Sequence, residues 1–305
     1  MAKGPFSTDV GVVVRRPAVA GSFYPAERFQ VTALVDALLA EADRTRLIAD
    51  PVEGAILGLL VPHAGLVYSG VVAAAAWRLV GMPSPDAPTV VVLLGTNHGA
   101  AWLDGVAAWE TGAWRTPLGE LEVDTDLARA VLDLGPPFTV DRAAHLGEHS
   151  IEVQLPFLQR IHPAPRIVPL SVAAGVGNSA TVAGARLGAL LARRLGAGER
   201  VVLAISSDMA HYPPSIDCAR ATAVLLPAIL DLDPVALADT ERAVSASRVR
   251  GLVCGMCGIQ PTILGLAALR AMGATRGIRL AAATSADAGG PADRTVGYLA
   301  AVFQA

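Results

Sequence analysis

Three of the six histidines follow segments that have the composition of buried β-strands. His63 follows "AILGLLVP", His98 follows "TVVVLLGTN" and His211 follows "RVVLAISSDMA". Open α/β sheets bind their ligands beyond the carboxyl ends of the strands. We therefore expect the three imidazoles at one edge of a sheet. They are candidates for metal binding there, because imidazole is the commonest transition-metal ligand.

Carboxylates accompany these histidines. Asp208 lies three residues before His211, and on a helical turn this spacing places both side chains on one face. Such a pair suits general acid/base work, and Asp208 is equally suited to cap the first turn of the next helix. His149 lies beside Glu148 in "HLGEHSIEVQLP". Both Glu148 and Asp208 are candidates to fix the tautomer of a ligand histidine.

Cys254 and Cys257 form a Cys-x-x-Cys in "LVCGMCGIQPT". This spacing fits a redox dithiol, half of a zinc site, or two small buried thiols. The chain contains 3 cysteines, so a four-cysteine zinc site is excluded, and a disulfide framework is not expected. One thiolate combined with two imidazoles would suit iron, copper or zinc rather than magnesium or calcium.

The composition is that of a globular α/β protein acting on small molecules or proteins. Of the 305 residues 53% are hydrophobic and 17% charged, the formal net charge is -3, and no Lys/Arg cluster occurs. Nucleic acid and membrane surfaces are therefore not expected as partners. We find no Gly-x-Ser-x-Gly, Walker or Gly-x-Gly-x-x-Gly motif. The amino terminus has no signal-peptide pattern, so a cytoplasmic location is expected.

Short Val/Ile/Leu-rich runs alternate with helical patterns, which predicts an α/β fold with a central sheet covered by helices. Strands are predicted at 55–61, 89–94, 166–172, 201–205, 278–283 and 295–303. Helices are predicted at 26–46, 70–79, 125–134, 180–195 and 219–230, and a buried helix with its preceding turn within 251–269. Two short runs around Thr111-Gly112 predict a β-hairpin, so the sheet is expected to be mixed.

Eight segments taken together resemble the Memo family, which in prokaryotes is also called AmmeMemoRadiSam system protein B. They are "RRPAVAGSFYPA", "VPHAGLVYSG", "LLGTNHG", "WRTPLGE", "GEHSIEVQLPFLQ", "AISSDMAHY", "CGMCGIQP" and "GYLAAVF". The resemblance runs in order from about Arg15 to Phe303. It implies a single Memo-like domain over 15–305, preceded by an extension of residues 1–14.

The resemblance implies a fold similar to that of class III extradiol dioxygenases, with helices on both faces of the sheet. It assigns His63, His98 and Cys254 as metal ligands. Asp208, His211 and His149 match residues that line the same pocket, where we expect them to manage protons. A second thiol is not required by the resemblance, so Cys257 is expected either to compete as a ligand or to form a disulfide.

The function implied is a metal-dependent oxidoreductase that uses iron or copper, with zinc as a further candidate, because a thiolate favours these metals. One alternative is ring-cleaving dioxygenase chemistry on catechols. Another is a non-catalytic binding protein that works with radical-SAM and AMMECR1-domain partners or recognises phosphotyrosine peptides.

Overall fold

The computed structural model describes residues 13–45, 52, 54–80, 89–177 and 179–305. Over these residues, 11 strands form one mixed sheet. They are β1 (Val14–Arg15), β2 (Ile56–Val61), β3 (Thr89–Thr96), β4 (Val106–Ala108), β5 (Ala113–Thr116), β6 (Gly119–Val123), β7 (Phe138–Val140), β8 (Arg166–Val172), β9 (Arg200–Ser206), β10 (Arg276–Thr284) and β11 (Gly297–Gln304). Their order is β1-β5-β6-β8-β3-β9-β2-β11-β10, and β4 pairs with β7 and β8 beside this path.

The centre of the sheet is parallel and buried. Strands β8, β3, β9 and β2 lie side by side in the same direction. After the first residue of each strand, all their residues are buried. A parallel sheet covered on both faces requires apolar residues on both sides of each strand. This explains why these segments are continuous apolar runs rather than alternating ones.

The register of the central strands aligns their carboxyl ends. Leu60 of β2 pairs with Ile205 of β9, and Ile205 also pairs with Leu94 of β3. The chain segments that follow β2, β3 and β9 therefore leave the sheet side by side at the same edge. Strand β11 runs antiparallel to β2, which brings its first residue, Gly297, to the same edge.

Helices cover both faces of the sheet. The described residues form α1 (Arg28–Thr45), α2 (Leu66–Trp77), α3 (Thr125–Leu132), α4 (Ala143–Leu146), α5 (Leu155–Ile161), α6 (Ser179–Gly196), α7 (Ser215–Leu230), α8 (Pro234–Ser245) and α9 (Ile259–Met272). Helix α2 contacts β2, β10 and β11 together with α1 and α5, whereas α9 contacts β2, β3, β8 and β9 together with α6 and α8. Gly58 faces α9, since a Cβ there would lie 2.5 Å from Leu269 Cδ2. Successive residues of a strand face opposite sides of the sheet. Helix α2, which also contacts β2, covers the face opposite to the one that Gly58 turns toward α9.

The predicted fold class, a mixed sheet covered by helices on both faces, is confirmed. All six predicted strands are present, and their ends differ by no more than two residues. The predicted helix within 251–269 is α9, whereas α8 was not predicted. Residues 1–12 of the expected extension lie outside the described residues, and Val14 pairs with Ala113. None of the helices in the described parts of the chain has the length and hydropathy of a bilayer span.

The hairpin predicted around Thr111-Gly112 is wrong. Strand β4 pairs with β7 and β8, while β5 pairs with β6 and β1. Gly112 has a φ of +90°, and a Cβ there would lie 2.0 Å from Val13 O. Glycine at this position therefore allows the segment before β1 to pass close to the backbone. The antiparallel hairpin lies one strand later, between β5 and β6.

Candidate metal centre

His63 leaves the carboxyl end of β2 through Pro62, and Asp208 fixes the backbone of this turn. The carboxylate Oδ1 of Asp208 accepts the N–H groups of His63 at 2.7 Å and Ala64 at 3.2 Å. The His63 side chain is buried, and its Nδ1 lies 3.0 Å from Ser206 Oγ. Its Nε2 lies 3.1 Å from Cys257 Sγ. Burial holds the pKa of His63 well below its usual range, so the ring is neutral.

His98 follows β3 and is oriented by Glu148. The Glu148 carboxylate accepts the main-chain N–H of His98 at 2.6 Å through Oε2, and its Oε1 lies 3.0 Å from His98 Nδ1. Because an ionised carboxylate can only accept, His98 carries a proton on Nδ1, which leaves Nε2 as the ring nitrogen available to bind a metal. Burial alone would raise the pKa of Glu148, but the hydrogen bonds from His98 outweigh it and hold that pKa well below its usual range.

His149 lies against His98 and is held in place by the same glutamate. The two imidazole rings stack with centroids 4.7 Å apart and planes 22° apart, and the ring of Phe23 lies 4.7 Å from His149. The turn that carries His149 is pressed against the end of β3. A Cβ at Gly95 would lie 2.5 Å from Ile151 Cγ1, so only glycine permits this approach.

Ligand nitrogens of His63, His98 and His149 lie within 4.8 Å of one another. A tetrahedral metal bonded to imidazole at about 2.0–2.1 Å holds two ligand nitrogens about 3.4 Å apart, so each of two such nitrogens needs to move by up to about 0.7 Å. Burial also lowers the pKa of His149, so its ring and that of His63 are neutral, as ligand imidazoles must be. The residues present therefore fit a transition metal. Of these three, sequence reasoning assigned His63 and His98 as ligands and His149 to proton transfer.

Of the two thiols, Cys257 contacts one of the three imidazoles, that of His63. Cys257 Sγ contacts His63 Nε2, whereas Cys254 makes a main-chain bridge in which its carbonyl accepts the His211 N–H at 3.1 Å. Cys257 is held close because Gly258 touches the β9 end: a Cβ there would lie 2.5 Å from Ser207 Cβ. Both thiols are free, and burial raises the pKa of each.

Asp208 and His211 line one cavity of about 530 Å³ with the three imidazoles. The helix after them, α7, begins at Ser215 and receives no side-chain cap, so Asp208 does not cap it. Its carboxylate holds the His63 turn instead, and burial raises its pKa to about 7. His211 Nε2 is buried and has no hydrogen-bond partner, and burial lowers the pKa of this ring to about 4. His211 therefore contributes a neutral ring to the cavity wall.

Aromatic and small residues form the rest of the cavity wall. They include Phe23, Tyr68, Tyr212, Val296 and Tyr298. Among the described residues that line it, none is a lysine or arginine. Arg294 lies nearby but is engaged with Tyr212, its guanidinium 4.3 Å from the ring centroid. Nothing in the spacing of these wall residues distinguishes them from core or loop residues, so the sequence does not predict them.

A buried ion pair, also missed from sequence, ties the amino-terminal segment to the turn that carries Glu148 and His149. Arg15 pairs with Glu152, and both side chains are 0% exposed. Arg15 also donates to the carbonyls of His145 at 3.0 Å and Glu148 at 2.5 Å. Glu152 accepts from Tyr24 Oη at 2.6 Å. The pair therefore sets the position of neighbouring Phe23 against His149.

Comparison with solved structures supports the fold alone. The crystal structure of an uncharacterized protein from Escherichia coli K12 superposes with a TM-score of 0.50 at 15% identity, covering 81% of this chain and 99% of that one.

Sequence comparisons match nearly the whole chain to proteins with a family name. A MEMO1 family protein of Aquifex aeolicus is 33% identical over 291 residues, covering 95% of this chain and 99% of its own. One from Archaeoglobus fulgidus is 35% identical over 293 residues, covering 95% of this chain and 100% of its own. The family model described as "Memo-like protein" matches residues 15–302. Since both kinds of match extend over nearly the whole sequence, the chain belongs to the Memo family.

Proposed function

We propose that this protein is a metal-dependent oxidoreductase whose centre is built on His63 and His98. The observation that carries the proposal is the convergence of three imidazoles within 4.8 Å, beside a partly buried thiol and at the end of a cavity.

The third ligand is the point at which geometry and resemblance differ. The resemblance favours Cys254, but the contact of 3.1 Å between Cys257 Sγ and His63 Nε2 supports Cys257, and we propose Cys257 in its place. Burial disfavours the thiolate of Cys257, whereas a bound cation reverses this preference and deprotonates a coordinating thiol. His149 remains as a further imidazole of the cluster.

The donor set favours iron or copper, with zinc as a further candidate. A bound iron or copper would supply Lewis acidity and one-electron redox chemistry at the end of the cavity. Within the cavity, His211 would accept or return a proton at the substrate, because its ring is neutral and lines the cavity. Asp208 would hold the His63 turn, and the aromatic wall would exclude water.

The proposal is tested by metal analysis of protein purified without chelator. Near-stoichiometric iron or copper is expected, and loss of most of it in His63→Gln and His98→Gln. Cys257→Ser and Cys254→Ser form a matched pair: we expect the first to lose metal and the second to retain it. Retention by all four variants would contradict the proposal, and loss only in Cys254→Ser would return the third ligand to Cys254.

Ring cleavage of catechols is a second candidate, favoured by the aromatic cavity wall and by the unpartnered His211 nitrogen. Anaerobic iron loading followed by a catechol panel with oxygen-uptake readout tests it. Absence of oxygen uptake across the panel would contradict it, while leaving metal binding intact.

A non-catalytic role as a binding partner of radical-SAM and AMMECR1-domain proteins is a third candidate. Exposed aromatic side chains of the cavity wall favour it: Tyr68 is 47% and Tyr212 38% exposed. Phosphotyrosine recognition is less favoured, because a phosphate is normally met by arginine and none lines the described cavity wall. Co-purification with those partners in the absence of turnover would support this role.

A further inference from the structure

His63 is the most deeply buried of the three clustered imidazoles, and both its ring nitrogens have partners. Nδ1 lies 3.0 Å from Ser206 Oγ, and Nε2 lies 3.1 Å from Cys257 Sγ. A neutral imidazole carries one proton, and only the nitrogen without it can bind a metal. The position of that proton therefore decides whether His63 can serve the proposed centre.

Trp77 provides a fixed starting point for placing the hydrogens, because an indole N–H can only donate. Its Nε1 lies 2.9 Å from Gln154 Oε1, so the amide oxygen of Gln154 faces Trp77. The amide nitrogen then faces the other way, where it donates to Pro62 O at 2.8 Å and to Ser206 Oγ at 3.1 Å. Gln154 thus holds both the residue before His63 and the hydroxyl beside its ring.

Ser206 has one hydroxyl hydrogen and two acceptor lone pairs. One lone pair receives the Gln154 amide. The hydrogen is donated to Ser150 O at 2.7 Å, since a carbonyl oxygen can only accept. The one remaining lone pair faces His63 Nδ1, which must therefore be the donor.

From this chain of contacts we infer that Ser206, oriented by Gln154 and Ser150, is a positioning residue that holds His63 as the Nδ1–H tautomer and presents its Nε2 lone pair to the cluster. The inference rests on the proposed metal-binding function. Trp77, Gln154, Ser150 and Ser206 are each at most 1% exposed, so water does not replace these partners.

The arrangement makes the two strand-end histidines chemically different. His98 is supported by the Glu148 carboxylate and His63 by a neutral hydroxyl. A carboxylate at the outer nitrogen raises the basicity of a ligand imidazole. His98 is thus the stronger electron donor, and His63 the more weakly polarised ligand next to Cys257.

Nitrogen-15 NMR of histidine-labelled, metal-free protein at pH 7.5 tests the inference directly, because its chemical shifts separate a protonated ring nitrogen from one with a free lone pair. The signals of His63 are assigned by their loss in His63→Gln. Wild-type protein is expected to show Nδ1 protonated and Nε2 free. A proton on Nε2 instead would overturn the inference.

Ser206→Ala is expected to give a mixture of tautomers and to weaken Zn²⁺ binding by about 10- to 100-fold, the usual effect of removing such a partner. Thr222→Val removes another buried hydroxyl, which donates to Cys218 O outside the cluster, and is expected to change neither readout. An unchanged His63 tautomer in folded Ser206→Ala would refute the role of Ser206. Wild-type protein with the expected tautomer but no metal affinity would leave the inference standing and refute the proposed function.

Discussion

Glu148 holds His98 at two points, the main-chain N–H at 2.6 Å and Nδ1 at 3.0 Å. The same carboxylate accepts the N–H groups of His149 at 2.8 Å and Ser150 at 2.9 Å. One side chain therefore sets the backbone of two turns that are fifty residues apart in sequence. The relative position of two of the three clustered imidazoles depends on it.

Replacing this carboxylate should weaken metal binding. In Glu148→Gln, one oxygen becomes an amide NH2 that faces the donors of His98 or His149. We expect about a 10- to 100-fold loss of Zn²⁺ affinity, measured by competition with a chelating dye. Glu110→Gln is the control, since Glu110 binds Arg142 and does not line the cavity. Equal affinities in the two variants would contradict this role of Glu148.

Gly258→Ala should displace Cys257. The added Cβ would lie 2.5 Å from Ser207 Cβ and 2.8 Å from Thr96 Oγ1, so the segment must move away from β9. Such overpacking typically costs about 1–3 kcal/mol of stability, and we expect metal content to fall as well. Gly196→Ala, where a Cβ meets nothing within 4 Å, is the control in urea unfolding and metal analysis. Normal metal content in folded Gly258→Ala would argue against Cys257 as a ligand.

The ion pair between Arg15 and Glu152 should be costly to break. In Glu152→Gln, Arg15 is left as an uncompensated buried charge, for which losses of about 3–5 kcal/mol are typical. Glu120→Gln breaks an exposed pair with Arg115, where we expect less than about 1 kcal/mol. Urea unfolding measures both. Similar losses in the two variants would show that burial adds nothing to the pair.

His145 should make the protein less stable in mild acid. Burial lowers its pKa to about 4, from 6.5 in the unfolded chain. The folded state therefore binds fewer protons between these values, so stability is full above pH 6.5 and falls as the pH drops to 4. The shift corresponds to about 3 kcal/mol.

Urea unfolding of metal-free protein between pH 4.5 and 7.5 checks this prediction. His145→Gln keeps a donor for Ala107 O but removes the titrating ring, so its stability should fall less steeply with acid than that of the wild type. Parallel pH profiles for the two proteins would contradict the role of His145.

Local patterns predicted the elements and part of the site. The apolar runs that end before His63 and His98 predicted both the parallel strands and the convergence of these residues. A continuous apolar run is typical of a strand in a parallel sheet covered on both faces. Resemblance supplied His149 and the motifs around it. The resemblance assigned Cys254 as the third ligand, whereas the contact of Cys257 with His63 depends on how closely Gly258 approaches Ser207 across the fold, which spacing along the chain does not reveal.

Long-range contacts account for what was missed. Strand β5 follows Thr111-Gly112 as predicted, but its partners lie at β1 and β6, so pairing could not be read from the turn alone. The contact of Phe23 with His149 depends on Arg15 and Glu152, which are 137 residues apart. Spacing along the chain carries no signal for such a pair.

The shared register of Leu60, Ile205 and Leu94 has a consequence for how the protein would acquire the proposed metal. The strand ends that carry His63 and His98 are aligned through β9, which is synthesised more than a hundred residues after either histidine. A nascent chain therefore lacks the site until the sheet is complete. A metal that binds only the finished fold stabilises that fold in proportion to its affinity, so metal uptake should report that folding has ended.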